Sequence, residues 1–524
     1  MRMLPWPCAL VAVFALIVPS RAGMAVEPTP LERGMELFVR EWMPDDSRSH
    51  NGDGLGPVFN DSSCVACHNL GGPGGGGPAS KNVDLLSAIA SGQDQADEGV
   101  PAGVDLGLKA PNESQIGALR QAGLRLLGNG QRDEGKKKPR EANLDALTKV
   151  HAGFRSSKSV VLHRFGTDPS YADWHNFVLG AGPNPLDIEA GGRLAHGRGP
   201  AEVELATARQ MVGINGAMMG GQNVGGFTLL RSQRNATALF GVGALDAIPD
   251  SVIEAAAKVD HPEFPRVHGR PARLPGGKIG RFGWKAQVPS LSEFILTACA
   301  VEIGLEVPGR SQASPPEAPA YKAPGVDLSA EECEALTKYV ASLPRPVESE
   351  AGAGREDRAA RAGRDTFVAT GCAACHTPKL GDVEGLYSDL LLHNLGPDLG
   401  DSGFYGGTLP DSPEDGPPST TPPPDIAQTP LIDSMPAGDR KEIVGATRQE
   451  WRTPPLWGLR DSGPYLHDGR AATIEEAIVM HGGESVDSVT RYFKLTARDR
   501  WQLQAFLKTL VAPTPTNDPL ASGR

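Results

Sequence analysis

Apolar residues recur at three- and four-residue steps in two stretches, LSAEECEALTKYVASL from Leu328 and LTARDRWQLQAFLKTL from Leu495. This period predicts amphipathic helices, and Ser329 and Thr496 stand where N-caps belong. Leu31 to Phe38 and Arg361 to Phe367 also carry a helical pattern, with Gly34 and Phe38 in the same relation as Gly363 and Phe367. Period-two alternation, the mark of half-buried strands, is weak throughout. Helices are therefore expected to dominate.

These elements form two parallel series. Arg234 to Phe240 (RNATALF) is matched by Arg452 to Trp457 (RTPPLW), and Trp284 to Phe294 (WKAQVPSLSEF) by His467 to Ala477 (HDGRAATIEEA). Each series closes with one of the two amphipathic helices, which can pack on the helix that opens it. The expected domains are residues 26–345 and 357–513, with an interdomain linker at Pro344 to Glu356. The first domain carries an insertion at about 71–230, containing a glycine run (Gly71 to Gly77), a basic patch (Lys136 to Arg140) and VLHRFGTDPSYADWHNF from Val161. Loops this long usually carry function or wrap a surface. Glu306 to Asp327 reads as a proline-rich connection, and Leu409 to Asp425 as a Pro/Asp-rich loop.

The amino terminus changes the picture of where the chain works. Arg2 is followed by an apolar run from Ala9 to Val18 and by small residues at Ala22 to Ala25. This pattern predicts a signal peptide over residues 1–25, and so an exported, periplasmic protein. No later segment approaches the roughly 20 apolar residues of a spanning helix. A net charge of −12 and a pI near 5.5 argue against nucleic acid as a partner.

The chemistry sits in two copies of C-x-x-C-H, Cys64-Val65-Ala66-Cys67-His68 and Cys372-Ala373-Ala374-Cys375-His376. Each is a c-type haem attachment signal, and chance would supply about 0.002 such motifs in a chain of this composition. Two thiols three residues apart lie on one side of a helical turn and can bond the two vinyl groups of one porphyrin. The following histidine is carried under the iron as its proximal ligand. Two covalently bound c-type haems are thus predicted, with His68 and His376 on iron. A zinc site is excluded because no second C-x-x-C lies close enough to complete one. Cys8 leaves with the signal, so Cys299 and Cys333 remain. In an oxidising compartment they most simply form one disulfide, the alternative being two separate buried thiols.

The motifs GDGLGPVFNDSSCVACHN, GRFGWKAQ, YSDLLLHNLGPDLGD and RTPPLWGLRDSGPYLHDGRAATIEEAIVMHGGE resemble the bacterial di-haem cytochrome c peroxidase superfamily. The similarity is to its branch of exported di-haem oxidoreductases, labelled peroxidases or thiol oxidoreductases. It spans most of Leu31 to Leu510 apart from much of the insertion. It implies a mainly α fold of two tandem cytochrome c-like haem domains, with a long insertion in the first. It also implies a distal ligand for the second haem fourteen residues after the His of the HDG motif, which places it at His481. Relatives with a peroxidase function usually have Met there. Met480 is adjacent, but a helix turns about 100° per residue, so both cannot face one iron. A bis-His iron is closed to substrates and suits electron transfer.

The same resemblance places Trp284 between the haems as an electron relay. It makes Glu302 the distal carboxylate of the peroxide-reacting first haem, an acid/base at a position matched after a two-residue gap. The place corresponding to His481 in the first series is Ala298, so the sixth position of that iron is expected to be open or labile. His163 or His175 in the insertion are candidates to cap it. Arg234 and Arg452 are candidates for haem propionates. His393 is expected to be structural, and His467 to hydrogen-bond or pack near the second haem.

The expected protein is a periplasmic di-haem oxidoreductase of peroxidase type, taking electrons from a small redox donor such as a cytochrome or cupredoxin. It would reduce peroxide or another small oxidant at the first haem. Two rivals stay open: a di-haem oxidase or oxygenase of an organic substrate, and a di-haem electron carrier without catalysis.

Overall fold

A computed structural model describes residues 27–90, 147–180, 222–405 and 445–513, apart from a few positions inside these spans. The expected signal segment, the patch Lys136 to Arg140 and the loop Leu409 to Asp425 lie outside the described residues.

Helix α1 (Pro30–Val39) begins at a capping box: Thr29 Oγ1 accepts from Glu32 N at 3.2 Å, and the Glu32 carboxylate accepts from Thr29 N at 2.8 Å. Helix α2 (Ala330–Ser342) begins the same way at Ser329 and Glu332. Both boxes satisfy amides that have no partner within the helix. The two helices meet at Gly34, where a Cβ would lie 2.1 Å from the Ala335 carbonyl oxygen. Helix α3 (Arg355–Thr370) and helix α4 (Ala497–Leu507) repeat the arrangement, with Thr496 capping α4. A Cβ at Gly363 would lie 1.9 Å from the Gln502 carbonyl oxygen. One turn further on, Phe38 packs against Tyr339 and Phe367 against Phe506, each pair with ring centroids 5.4 Å apart. The repeated Gly and Phe are therefore one device used twice. The glycine lets two backbones touch and the aromatic ring fills the space beside the contact.

Two main apolar cores follow. The first gathers Leu37 and Phe38 from α1, Leu336 and Val340 from α2, and Leu291 and Ile295 from the helix Leu291–Ala298. The second gathers Phe367, Leu503, Phe506 and Tyr492 with Ile474 and Val479 of the helix Ile474–Met480. Cys299 and Cys333 belong to the first core as free, buried thiols, so the expected disulfide is not formed. Each fills its place as a small apolar side chain. Among the described residues no helix is long and apolar enough to cross a membrane.

The expectation of a chain poor in strands is corrected inside the insertion. Strands β1 (Val83–Ala90), β2 (Ser159–Leu162), β3 (Gln222–Val224) and β4 (Phe227–Arg234) form one antiparallel sheet in the order β2-β1-β4-β3. The register pairs Val83 with Arg234 and Ala90 with Phe227. In β1 the consecutive residues Leu85, Leu86, Ser87 and Ala88 are all buried, so both faces of the strand are covered. Such a strand shows no period-two alternation, which is why the pattern concealed it. The fold thus combines helices with strands.

Gly363→Ala should lower the unfolding free energy by about 1–3 kcal/mol through overpacking of the α3–α4 contact. Denaturant titration of the purified protein checks it, and an unchanged midpoint would show that the two helices do not meet there.

Candidate functional site

Each C-x-x-C-H motif folds as one tight turn closed by its histidine amide: His68 N donates to Cys64 O at 3.0 Å and His376 N to Cys372 O at 2.9 Å. Each pair of cysteines is spaced three residues apart across this turn, as attachment to one porphyrin requires. The imidazoles are then fixed by the backbone. His68 Nδ1 donates to Thr237 O at 3.0 Å, His376 Nδ1 to Tyr387 O at 2.9 Å, and His481 Nδ1 to Ala477 O at 2.6 Å. With Nδ1 carrying the proton, the lone pair is on Nε2, the nitrogen that would ligate iron. Burial holds His68 below the usual histidine pKa and pushes His376 down to about 4, so both are in the neutral, metal-binding form.

His376 and His481 line one cavity of about 2150 Å³ of non-atom space, part of it open to solvent. Cys372, Cys375, Trp284 and Arg452 line it too, while Met480 does not. His481 ends the helix Ile474–Met480 as its C-cap, and the register turns it toward this space. Neutral imidazoles, paired thiols and a largely apolar wall fit a c-type haem.

The two arginines divide. Arg234 is committed elsewhere: it forms two 2.7 Å bonds to the Asp401 carboxylate and also donates to the Gln233 and Gly403 carbonyls. In this structure the guanidinium ties β4 to the segment at Asp401. Arg452 is buried, donates to Gly283 O and Thr453 O, and has no carboxylate partner among the described residues. Burial alone lowers its pKa to about 10. A buried cation facing a cavity without a counter-ion is the chemistry a propionate would complete.

Glu302 lies on a π-helical turn, Cys299–Ile303, that follows the helix Leu291–Ala298 and is ended by left-handed Gly304 at φ 72°. The Asn60 amide donates to Glu302 Oε2 at 2.7 Å, and Asn60 N to the Glu302 carbonyl at 2.7 Å. Glu302 Oε1 is buried without a well-formed hydrogen bond. Burial raises its carboxyl above the usual range, against the opposing pull of Tyr405, Asn60 and Arg164. Asp61 N also donates to the Glu302 carbonyl at 3.4 Å and Cys67 Sγ to Asp61 Oδ2 at 3.7 Å, so the π-helical turn lies against the first C-x-x-C-H loop.

The insertion buttresses this turn. His163 Nε2 donates to Val301 O at 2.9 Å, Arg164 N donates to Asn60 Oδ1 at 2.9 Å, and the Tyr171 hydroxyl donates to His163 O at 2.6 Å. His163 is thus engaged with backbone, and His175 stacks on Tyr171 with centroids 6.0 Å apart.

Between the two attachment sites, Asn235 to Thr237 touches both. Thr237 O holds His68, Asn235 O accepts from Trp284 Nε1 at 2.9 Å, and Asn235 N donates to His467 O at 2.7 Å. Trp284 stands edge-on to His467, centroids 6.5 Å apart, and His467 stacks on Trp451 at 3.7 Å. Lys285 Nζ lies 3.5 Å from the Trp451 ring centroid and donates to three carbonyls, of Thr447, Arg448 and Glu450. His393 sits near Cys375 between Glu484 and Asp389, at 2.7 and 2.9 Å, and against the pull of burial the Cys375 sulfur and the Asp389 carboxylate hold it well above the usual histidine pKa. Sequence reasoning missed Asn60, Tyr405, Trp451, Lys285 and Glu484. Only Asn60 carried a signal, its place four residues before Cys64 in the first motif.

A fold with two haem-attachment turns and a histidine facing one of them defines a class of di-haem redox proteins. Residues 430–510 match the family described as "Di-haem oxidoreductase, putative peroxidase". The methylamine utilization protein MauG of Methylorubrum extorquens is 41% identical over 75 residues, covering 13% of this chain and 21% of that protein. The chain therefore aligns with about a fifth of the length of this curated relative. The C-terminal part of the chain is thus similar to the di-haem peroxidase-like proteins that its motifs resemble. Two solved structures show distant likeness. Kuenenia stuttgartiensis hydrazine synthase matches at 19% identity over 53% of this chain and 73% of that chain, with a TM-score of 0.29. A MauG-like protein associated with microbial copper homeostasis matches at 17% identity over 52% and 92%, with a TM-score of 0.26.

Proposed function

We propose that the protein is a periplasmic di-haem c-type oxidoreductase that reduces peroxide, with electrons from a small cytochrome or cupredoxin. The asymmetry between the two attachment sites carries this reading. His481 faces His376 across one cavity, whereas the first site has beside it a buried carboxyl, Glu302, with one oxygen unpartnered. When bound, the two haems supply the redox centres, one closed for electron transfer and one accessible to the oxidant.

The chain's own residues would do the rest. His68, His376 and His481 present Nε2 to iron because backbone carbonyls hold Nδ1. Trp284, anchored by Asn235, stands on the path between the sites as the relay. Arg452 neutralises a propionate. Glu302 takes a proton from peroxide at its free oxygen and returns it to the departing oxygen. Two electrons and two protons convert one peroxide to two waters, and the donor protein supplies the electrons. A buried carboxyl that ionises above its usual range is poised for both directions of this transfer. As base it must be ionised, so the rate should rise with pH through that raised pKa.

Glu302→Gln should slow the peroxide step by about 10²–10⁴-fold with haem content intact. Stopped-flow mixing with peroxide reads it, and an unaffected rate removes Glu302 from the reaction. His481→Met should raise the midpoint potential of the second haem, since a thioether ligand favours the reduced iron. Spectroelectrochemical titration decides; an unmoved potential would discredit His481 as the ligand.

A further inference from the structure

His393 sits on the strand Leu392–Asn394, which pairs antiparallel with Glu450–Arg452. Its imidazole is buried and lines the same cavity as Cys375, His376 and His481. Both ring nitrogens meet carboxylates: Nδ1 lies 2.7 Å from Glu484 Oε2, and Nε2 lies 2.9 Å from Asp389 Oδ2. Nδ1 is also 3.5 Å from Cys375 Sγ, one of the two sulfurs that would carry the second haem. The ring is packed against backbone on one side, where a Cβ on Gly269 would lie 2.4 Å from His393 Cε1.

This geometry fixes the charge of the cluster. A neutral imidazole has one N–H and one lone pair, and here that lone pair would face a carboxylate oxygen. An ionised carboxylate only accepts, so two such contacts require two N–H donors, and His393 is an imidazolium. The carboxylates are themselves met by donors. Glu484 Oε1 accepts from Asn394 N at 2.9 Å and Oε2 from His268 N at 3.1 Å, while Asp389 Oδ1 accepts from Leu391 N at 2.9 Å. Two carboxylates and one imidazolium leave one negative charge uncancelled. Other buried acids are matched one to one, Asp401 by Arg234 and Glu450 by Arg270.

We propose that Asp389, His393 and Glu484 act together as a fixed negative charge at the Cys375 edge of the second haem site, favouring oxidised iron and lowering its reduction potential. This rests on the reading above, in which that site holds a haem and passes electrons to the first. Reduction adds one electron, and a negative charge nearby opposes the addition more strongly in a buried site than in water. His393 makes the arrangement tolerable, because two buried carboxylates without a cation between them repel and one takes up a proton. A lower potential makes the second haem the better reductant, as its place in the relay requires.

Spectroelectrochemical titration of the haem-loaded protein tests this. Pyridine haemochrome counts the haems, and the low-spin spectrum reports that the second iron keeps its ligands. Glu484→Gln removes one negative charge, while the new amide oxygen can still accept from His393. The potential of the second haem should rise, by about a tenfold change in the ratio of reduced to oxidised iron at fixed poise, or about 59 mV. Asp389→Asn should act in the same direction and serves if the glutamine variant does not fold. Glu484→Asp keeps the charge and should stay near the parent potential. An unmoved potential in the charge-removing variants would overturn the proposal. So would a Glu484→Asp potential that moves as far as that of Glu484→Gln, which marks a loosened pocket and not a charge. Two haems with an unmoved potential remove this inference alone, whereas a chain that takes up no haem at Cys372 and Cys375 removes the reading beneath it as well.

Discussion

An imidazole offers iron one nitrogen when the other is engaged, and here the backbone decides which. Thr237, Tyr387 and Ala477 each take the Nδ1 proton of a histidine, so His68, His376 and His481 direct Nε2 outward. These carbonyls belong to segments that are themselves anchored. Thr237 lies two residues from Asn235, which holds both Trp284 and the backbone of His467. Ligand orientation at the first site and the path toward the second thus depend on the same three residues. A shift in that segment would misalign the iron ligand and the relay together.

Buried charge sets the next constraint. Buried in the protein are Arg234, Asp401, Lys285, Glu450, His393, Glu484 and Arg452. Most are paired: Arg234 with Asp401, Arg270 with Glu450, and His393 with Asp389 and Glu484. Lys285, whose pKa burial lowers to about 7, is held by three carbonyls and the face of Trp451. Removing one partner from such a group leaves an uncompensated charge, costing about 3–5 kcal/mol. Arg452, likewise held only by carbonyls, stands on the cavity wall, where a carboxylate-bearing cofactor would supply a counter-ion.

Much of this was legible in the chain. C-x-x-C-H spacing located two tight turns, each closed by its histidine amide, and the repeat of Gly34–Phe38 in Gly363–Phe367 marked two helix contacts whose physical reason is close backbone approach. The step of fourteen residues from His467 placed His481 rather than Met480 on the cavity. Other parts were not legible. The sheet of the insertion escaped because β1 is buried on both faces and shows no alternation. The pairing of Arg234 with Asp401, and the free state of Cys299 and Cys333, are set by contacts between residues far apart in sequence. Tyr405 gave no sign of its place against Phe294, where Gln287 holds its carbonyl and the Arg234–Asp401 pair holds its segment.

The central claim is that one iron is closed by two histidines while the other stays accessible beside a carboxyl. Electron paramagnetic resonance of the oxidised protein, quantified against its pyridine haemochrome, tests this most directly. The account predicts two haems per chain, one low-spin and one high-spin. Two low-spin irons that bind no cyanide or carbon monoxide, or fewer than two haems, would contradict it.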